Sequence, residues 1–189
     1  MIKAQFSLLI LFIFIFTACG QTEQERQLQE QRQMQMQMQL VESTPEFNAH
    51  MESVLERYFD LKDALVLSDA QSASELADNY LTEVSEVNAE SLNQESAALW
   101  ISFSEIITNS TKELIPLEDV DDQRYHFEYI SEAMIEMVDT FRPIGYEIYH
   151  QSCPMVRGGS ADWLSREEQI ANPYHGDRML RCGEVIRRI

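Results

Sequence analysis

The sequence predicts an all-α protein: an up-down-up-down four-helix bundle that carries a C-terminal turn-rich knuckle. Three observations predict it. Between residues 44 and 142, apolar side chains recur in four segments at the 3.6-residue spacing of a helix. No glycine occurs between Gly20 and Gly145, and no strand-like alternation interrupts that stretch. The remaining five of the six glycines, Gly145, Gly158, Gly159, Gly176 and Gly183, then crowd into the C-terminal piece, where turn chemistry replaces helical periodicity.

Residues 1–18 read as an export signal. Lys3 precedes an apolar run from Phe6 to Phe16, too short for a stable bilayer span, which needs about 20 apolar residues. The following Phe16-Thr17-Ala18-Cys19 resembles a lipobox, with Phe16 where Leu is usual. That predicts a lipoprotein: cleavage before Cys19, acyl chains on Cys19, and a membrane anchor in the cell envelope. Gly20 is not Asp, which points away from inner-membrane retention and toward the outer membrane. An ordinary signal peptide with an incidental cysteine is the alternative. Residues 19–43 follow as a lipid-anchored tether. The tract is Gln-rich, lacks aromatics before Val41, and alternates Gln with Met34, Met36 and Met38. Such a composition buries too little apolar surface to fold alone, although three thioethers on a flexible arm are also ligands for a soft ion.

The bundle is expected over residues 44–142. Thr44 before Pro45 is an N-cap followed by proline at the first helical position, and Phe47, Met51, Val54, Leu55, Tyr58, Leu61 and Leu65 form its apolar stripe. Ser68-Asp69-Ala70-Gln71 has a capping-box pattern and opens a second helix, with Ala73, Leu76, Ala77, Tyr80, Val84 and Val87 on one face. Ser91-Leu92-Asn93-Gln94 repeats that pattern before a third helix carrying Leu99, Trp100, Phe103, Ile106, Ile107 and Leu114, ending near Pro116. The fourth runs from about Val120 to Phe141 and is stopped by Pro143. Short connections make successive helices antiparallel neighbours.

Charge narrows the function. The chain carries 32 acids against 14 Lys and Arg, a formal net charge of −18, which excludes nucleic-acid binding through phosphate neutralisation. The acids are uneven: 23 acids against 5 basic residues from Val41 to Arg142, but 5 acids against 6 Arg from Arg157 to Ile189. Glu118-Asp119-Val120-Asp121-Asp122 reads as charge that favours a helix N-terminus rather than a metal site. No Glu-x-x-His pair suggests a di-iron centre, and no nucleophile–base pair, phosphate loop or paired acid suggests an enzyme.

The chemistry concentrates in residues 143–189. This piece is too polar to hold a core of its own and is expected to pack on the bundle through Trp163, Tyr174 and Leu180, with one helical turn after Ser165. Cys153-x-Met155 and Met179-x-x-Cys182 each place a thiol and a thioether close together, the donor set that selects Cu(I) and Ag(I); thioether is a poor zinc ligand. The competing reading is a Cys153–Cys182 disulfide, the default for an even pair of cysteines in an oxidising compartment. It would contribute about 3 kcal/mol through chain entropy. From composition alone the disulfide is favoured, and His150 and His175 read as turn or surface residues.

Cys153-Pro-Met155, Gly-x-x-x-Trp163-Leu-Ser165, Asn172-Pro-Tyr174-x-Gly176 and Met179-Leu-x-Cys182-Gly183, together with Leu61-Lys-Asp-Ala-Leu65 and Gln123-Arg124-Tyr125-His126-Phe127, resemble the signature of a bacterial domain of unknown function. That domain occurs as free-standing lipoproteins and appended to periplasmic adaptor subunits of copper/silver efflux pumps. The resemblance implies heavy-metal handling without a reaction. It carries Cys153, Met155, Met179 and Cys182 as candidate ligands of copper(I) or silver(I), with His126 as a further candidate, and an efflux-pump adaptor as candidate partner. The alternative is a structural or interaction module stapled by the Cys153–Cys182 disulfide.

Overall fold

The four amphipathic segments are helices: α1 (Pro45–Val66), α2 (Ala70–Glu86), α3 (Gln94–Leu114) and α4 (Val120–Phe141). Each starts on a side-chain cap worth about 1 kcal/mol. Thr44 accepts from the Phe47 amide at 3.2 Å before Pro45, as the sequence predicts. The next two caps lie further along than the capping boxes suggest. Asp69 rather than Ser68 accepts from the Ser72 amide, at 3.0 Å. Asn93 rather than Ser91 accepts from the Ser96 amide, at 2.8 Å. Both displaced serines have other partners: Ser91 meets Thr44 at 3.0 Å, and Ser68 takes a left-handed φ of 58° and accepts from Arg124. Consecutive helices pack as neighbours, most closely α1 on α2 and α3 on α4. Phe47, Tyr58, Phe127, Trp100 and Phe141 form aromatic contacts through the core.

The chain is not all-α, and the C-terminal piece is not merely a knuckle of turns. A three-stranded antiparallel sheet follows the helices, in the order β2-β1-β3: β1 (Tyr149–Val156), β2 (Gly159–Ser165) and β3 (Glu184–Arg188). A single 3₁₀ turn at Gly176–Arg178 lies between β2 and β3. The residues after Ser165 form bends instead of a helical turn, because the Ser165 hydroxyl accepts from the Glu167 amide at 3.1 Å in a local turn. Period-2 alternation fails as a signal here for a physical reason. Strand β1 is central, and His150, Gln151, Ser152 and Cys153 are all buried. Pro154 sits at a bulge between Cys153 and Val156, one of the few places a sheet tolerates proline. Strand β3 is exposed throughout, so it shows no apolar pattern.

The sheet lies on the helices through β2 and α4. Trp163 is fully buried, and Tyr174 stands 6.0 Å from its ring and 5.9 Å from that of Phe127. Directional bonds fix the docking. The Tyr58 hydroxyl lies 2.8 Å from Ser131 Oγ on α4 and accepts from the Leu164 amide on β2 at 3.1 Å. Arg124, only 3% exposed, donates from Nε to Pro173 O at 2.7 Å, from Nη2 to Leu65 O at 2.7 Å and Ser68 Oγ at 2.9 Å, and from Nη1 to Asp121 at 2.7 Å. Gly176 has a φ of 54°, and a Cβ there would lie 2.3 Å from Ser68 Oγ, so only glycine lets this turn sit against α1.

The computed structural model describes residues 26–28, 43–157 and 159–189. The export signal, Cys19 and the Met34, Met36 and Met38 tract lie outside the described residues. The described residues from Ser43 onward belong to one compact unit. Among the described residues, no helix is long and apolar enough to cross a membrane.

Candidate functional site

Two cysteines 29 residues apart in sequence meet beside the central strand: Cys153 Sγ lies 3.6 Å from Cys182 Sγ, and both are free thiols. Cys153 is wholly buried on β1, opposite Ala161 of β2. Cys182 is half-buried, two residues before β3. Its position follows from its neighbours. Gly183 has a φ of 142°, and a Cβ there would lie 2.7 Å from Ser152 O; glycine therefore allows the backbone to pass tightly against β1 and bring Cys182 alongside Cys153. The Asn172 side chain donates to Cys182 O at 2.8 Å and accepts from the Tyr174 amide at 2.8 Å, while its own amide donates to Leu180 O at 3.0 Å. The Cys182 amide closes a turn on Met179 O at 2.9 Å. The conformations of residues 172–183 are thus set by one buried asparagine and two glycines.

The other predicted donors are placed differently. In a regular strand Cys153 and Met155 would share a face. The bulge sets Pro154 and Met155 on one side against a single β2 residue, so Cys153 and Val156 point inward while Met155 is 61% exposed. Met179 is half-buried and borders a cleft together with Val156 and His175. His126 is half-buried on α4, with its ring 5.2 Å from that of Tyr125. His150 Nε2 lies 2.7 Å from Asp162 Oδ2, and His175 Nε2 donates to Met155 O at 3.0 Å. The structure therefore brings the two sulfurs of the cysteines together and does not gather the thioethers around them. Among the described residues, no group of three or more Cys, His, Asp or Glu is placed to hold a metal ion.

Electrostatics set the state of the pair. The Cys182 thiol is held above its ordinary range, first by its hydrogen bond with Cys153, then by desolvation and the charge of that same neighbour. Two thiols in contact share a proton more easily than they lose both. Cys182 is thereby held toward its thiol form rather than activated as a nucleophile. Its spacing suits two kinds of chemistry. Two metal–sulfur bonds of about 2.3 Å span about 3.8 Å at a tetrahedral angle and about 4.6 Å when collinear, so a two-coordinate ion requires a small opening of the Cys182 turn from the 3.6 Å present. A disulfide requires about 2.05 Å, a further closing movement of the Cys182 turn.

Arg124, Asn172 and Gly183 escaped the sequence reading as positioning residues. For Arg124 a signal existed: it lies three and seven residues before Phe127 and Ser131, on the buried face of α4, and an arginine on an apolar face needs partners.

Residues 54–144 match the model of a family described as a protein of unknown function (DUF3347). The match supports an uncharacterised domain spanning most of α1 through α4, and it ends before β1. No curated protein matches the chain, and no solved structure does.

Proposed function

We propose that this chain is a lipid-anchored envelope protein that takes up one soft monovalent ion, Cu(I) or Ag(I), on the Cys153–Cys182 dithiol and sequesters it or hands it to an efflux system. The observation that carries this reading is the 3.6 Å separation of two free thiols. Thiolate is the donor that selects Cu(I) and Ag(I) over harder cations, and a soft ion accepts two ligands where a zinc site needs four. Uptake converts two thiols to thiolates and releases two protons, so affinity rises with pH. The half-exposed Cys182 is the entry sulfur and the buried Cys153 the retaining one. Met179, one turn before Cys182, is the nearest thioether in sequence for a transfer step, and Met155 offers a solvent-facing contact on the bulge. Lipid on Cys19 would keep the site at a membrane, within reach of a pump adaptor.

The same pair supports a second reading, a disulfide-stapled interaction module, because a modest movement of one turn would close the bond. The test uses the full-length chain, reduced and kept anaerobic, titrated with Cu(I) against a chromophoric chelator. One ion per chain is expected, and Cys153→Ser weakens binding by about a hundredfold or more, as loss of one of two ligands requires. Unchanged binding in the Cys153→Ser/Cys182→Ser double variant would overturn the site. Mass spectrometry of alkylated protein from whole envelopes separates the readings: a quantitative Cys153–Cys182 disulfide favours the module.

A further inference from the structure

A cleft of about 370 Å³ lies between the start of α4 and the segment leading to β3, and its lining runs against the composition of the molecule. The chain has more than two acids for each basic residue, yet Arg124, Arg157 and Arg178 all line this cleft and only one carboxylate, Asp121, does so. The three guanidiniums converge on that single residue. Arg178 grips its carboxylate through both Nη atoms, at 2.9 and 2.5 Å. Arg124 reaches the same carboxylate at 2.7 Å. Arg157 donates to the Asp121 backbone carbonyl and lies with its guanidinium carbon 4.7 Å over the Tyr125 ring. Two more acids act from outside the lining, Glu128 on Arg157 and Asp119 on Arg178. Within the cleft the balance is three positive charges to one negative.

The three arginines differ in freedom. Arg124 is buried and commits four of its five N–H groups to Leu65, Ser68, Pro173 and Asp121; the fifth, on Nη1, is left over in a residue that borders the cleft. Arg178 is well exposed, and its pair with Asp121 is a surface ion pair of the kind that contributes at most about 1 kcal/mol. Exchanging that partner for a ligand is cheap. Arg157 has no carboxylate in hydrogen-bond contact among the described residues. Guanidinium forks match the planar or tetrahedral oxygens of carboxylate and phosphate groups. The Tyr174 ring and Met179 supply an apolar wall beside them.

We propose that this cleft binds a small oxyanion, the carboxylate or phosphate group of a small molecule, gripped by Arg157 and Arg178 over the fixed guanidinium of Arg124. The arginines that form this site are distinct from the dithiol, although Met179 borders the cleft. The test is isothermal calorimetry on the full-length chain in detergent, with inorganic phosphate and citrate as probes and chloride as reference at equal ionic strength. Saturable binding of phosphate or citrate is expected, and whichever binds tighter identifies the headgroup class. The Arg157→Gln/Arg178→Gln variant, both positions being exposed, should fold normally and bind at least tenfold more weakly. Arg178→Lys should recover part of the affinity, and Arg142→Gln, outside the cleft, should leave it unchanged. Heats no larger than those of chloride, or equal affinity in the double variant, would overturn the site.

Discussion

The helical body and the C-terminal sheet are stabilised by different physics. The body buries a continuous apolar stripe on each helix, with Phe47, Met51, Leu55, Leu61, Ile107 and Leu114 fully enclosed, and its acids lie outward. Burial of this kind is non-directional and scales with area, so many sequences can satisfy it. The sheet buries His150, Gln151, Ser152, Ser165 and Asn172, polar groups that cost free energy unless each finds a partner. His150 has Asp162, and Gln151 donates to Glu167 O and Glu168 O at 2.8 and 3.1 Å. The helices also bury Gln123, Arg124 and Ser131, each hydrogen-bonded, on α4, but most of their interior tolerates substitution by volume, whereas the sheet depends on individual hydrogen bonds. The family match follows the first region and ends where the second begins.

Three substitutions sharpen or break this contrast. The largest effect is expected for Arg124→Met, which removes the guanidinium joining α1, α4 and the Pro173 segment and takes its donor from the buried Pro173 carbonyl. Loss of one partner in such a buried charged network costs about 3 kcal/mol or more, read as a shift of the urea midpoint. Amides of β1 and β2 should lose hydrogen-exchange protection before those of α3; uniform loss would show that the two regions unfold as one unit. Tyr58→Phe is next. It removes the hydroxyl between Ser131 and the Leu164 amide, at a cost of about 1–2 kcal/mol, and equal stability of the two proteins would deny that this bond fixes the docking. The smallest effect is pH-dependent. Asp121 is held below its ordinary value of 3.8 chiefly by its hydrogen bond from Arg178, with a further contribution from Arg124. A depressed folded-state value adds stability above the ordinary carboxylate range and loses it as pH falls through the lowered value. Asp121→Asn should flatten the acid limb of the stability profile by a small amount, since the Arg178 pair is exposed; an unchanged limb would remove this pair from the acid response.

What the sequence made legible follows the same division. Helical period, proline at the first turn and the stop at Pro143 identify α1 to α4 because local rules and tertiary packing agree there. The sheet stayed hidden because its central strand is buried in a consecutive run, its edge strand is exposed at every position, and proline stands inside β1. Cys153 and Cys182 were recognisable as a pair from chemistry alone. Their actual proximity depends on Gly183, whose role lies in a missing Cβ, and on Asn172, which acts through backbone atoms of residues eight and ten positions away. Neither effect leaves a periodic trace. The thioethers show the converse: Cys-x-Met spacing suggests a shared face, and one extra residue in the strand separates them.

That extra residue gives the two sulfurs of Cys153-Pro-Met155 unequal exposure to oxidants. Met155, 61% exposed on the bulge, is open to oxidation by peroxide to the sulfoxide, a change its sparse packing lets the core tolerate. Cys153, enclosed two residues away, is shielded from peroxide in bulk solvent and reaches its oxidised form chiefly through Cys182. The strand irregularity thus leaves one sulfur of the motif in solvent and encloses the other.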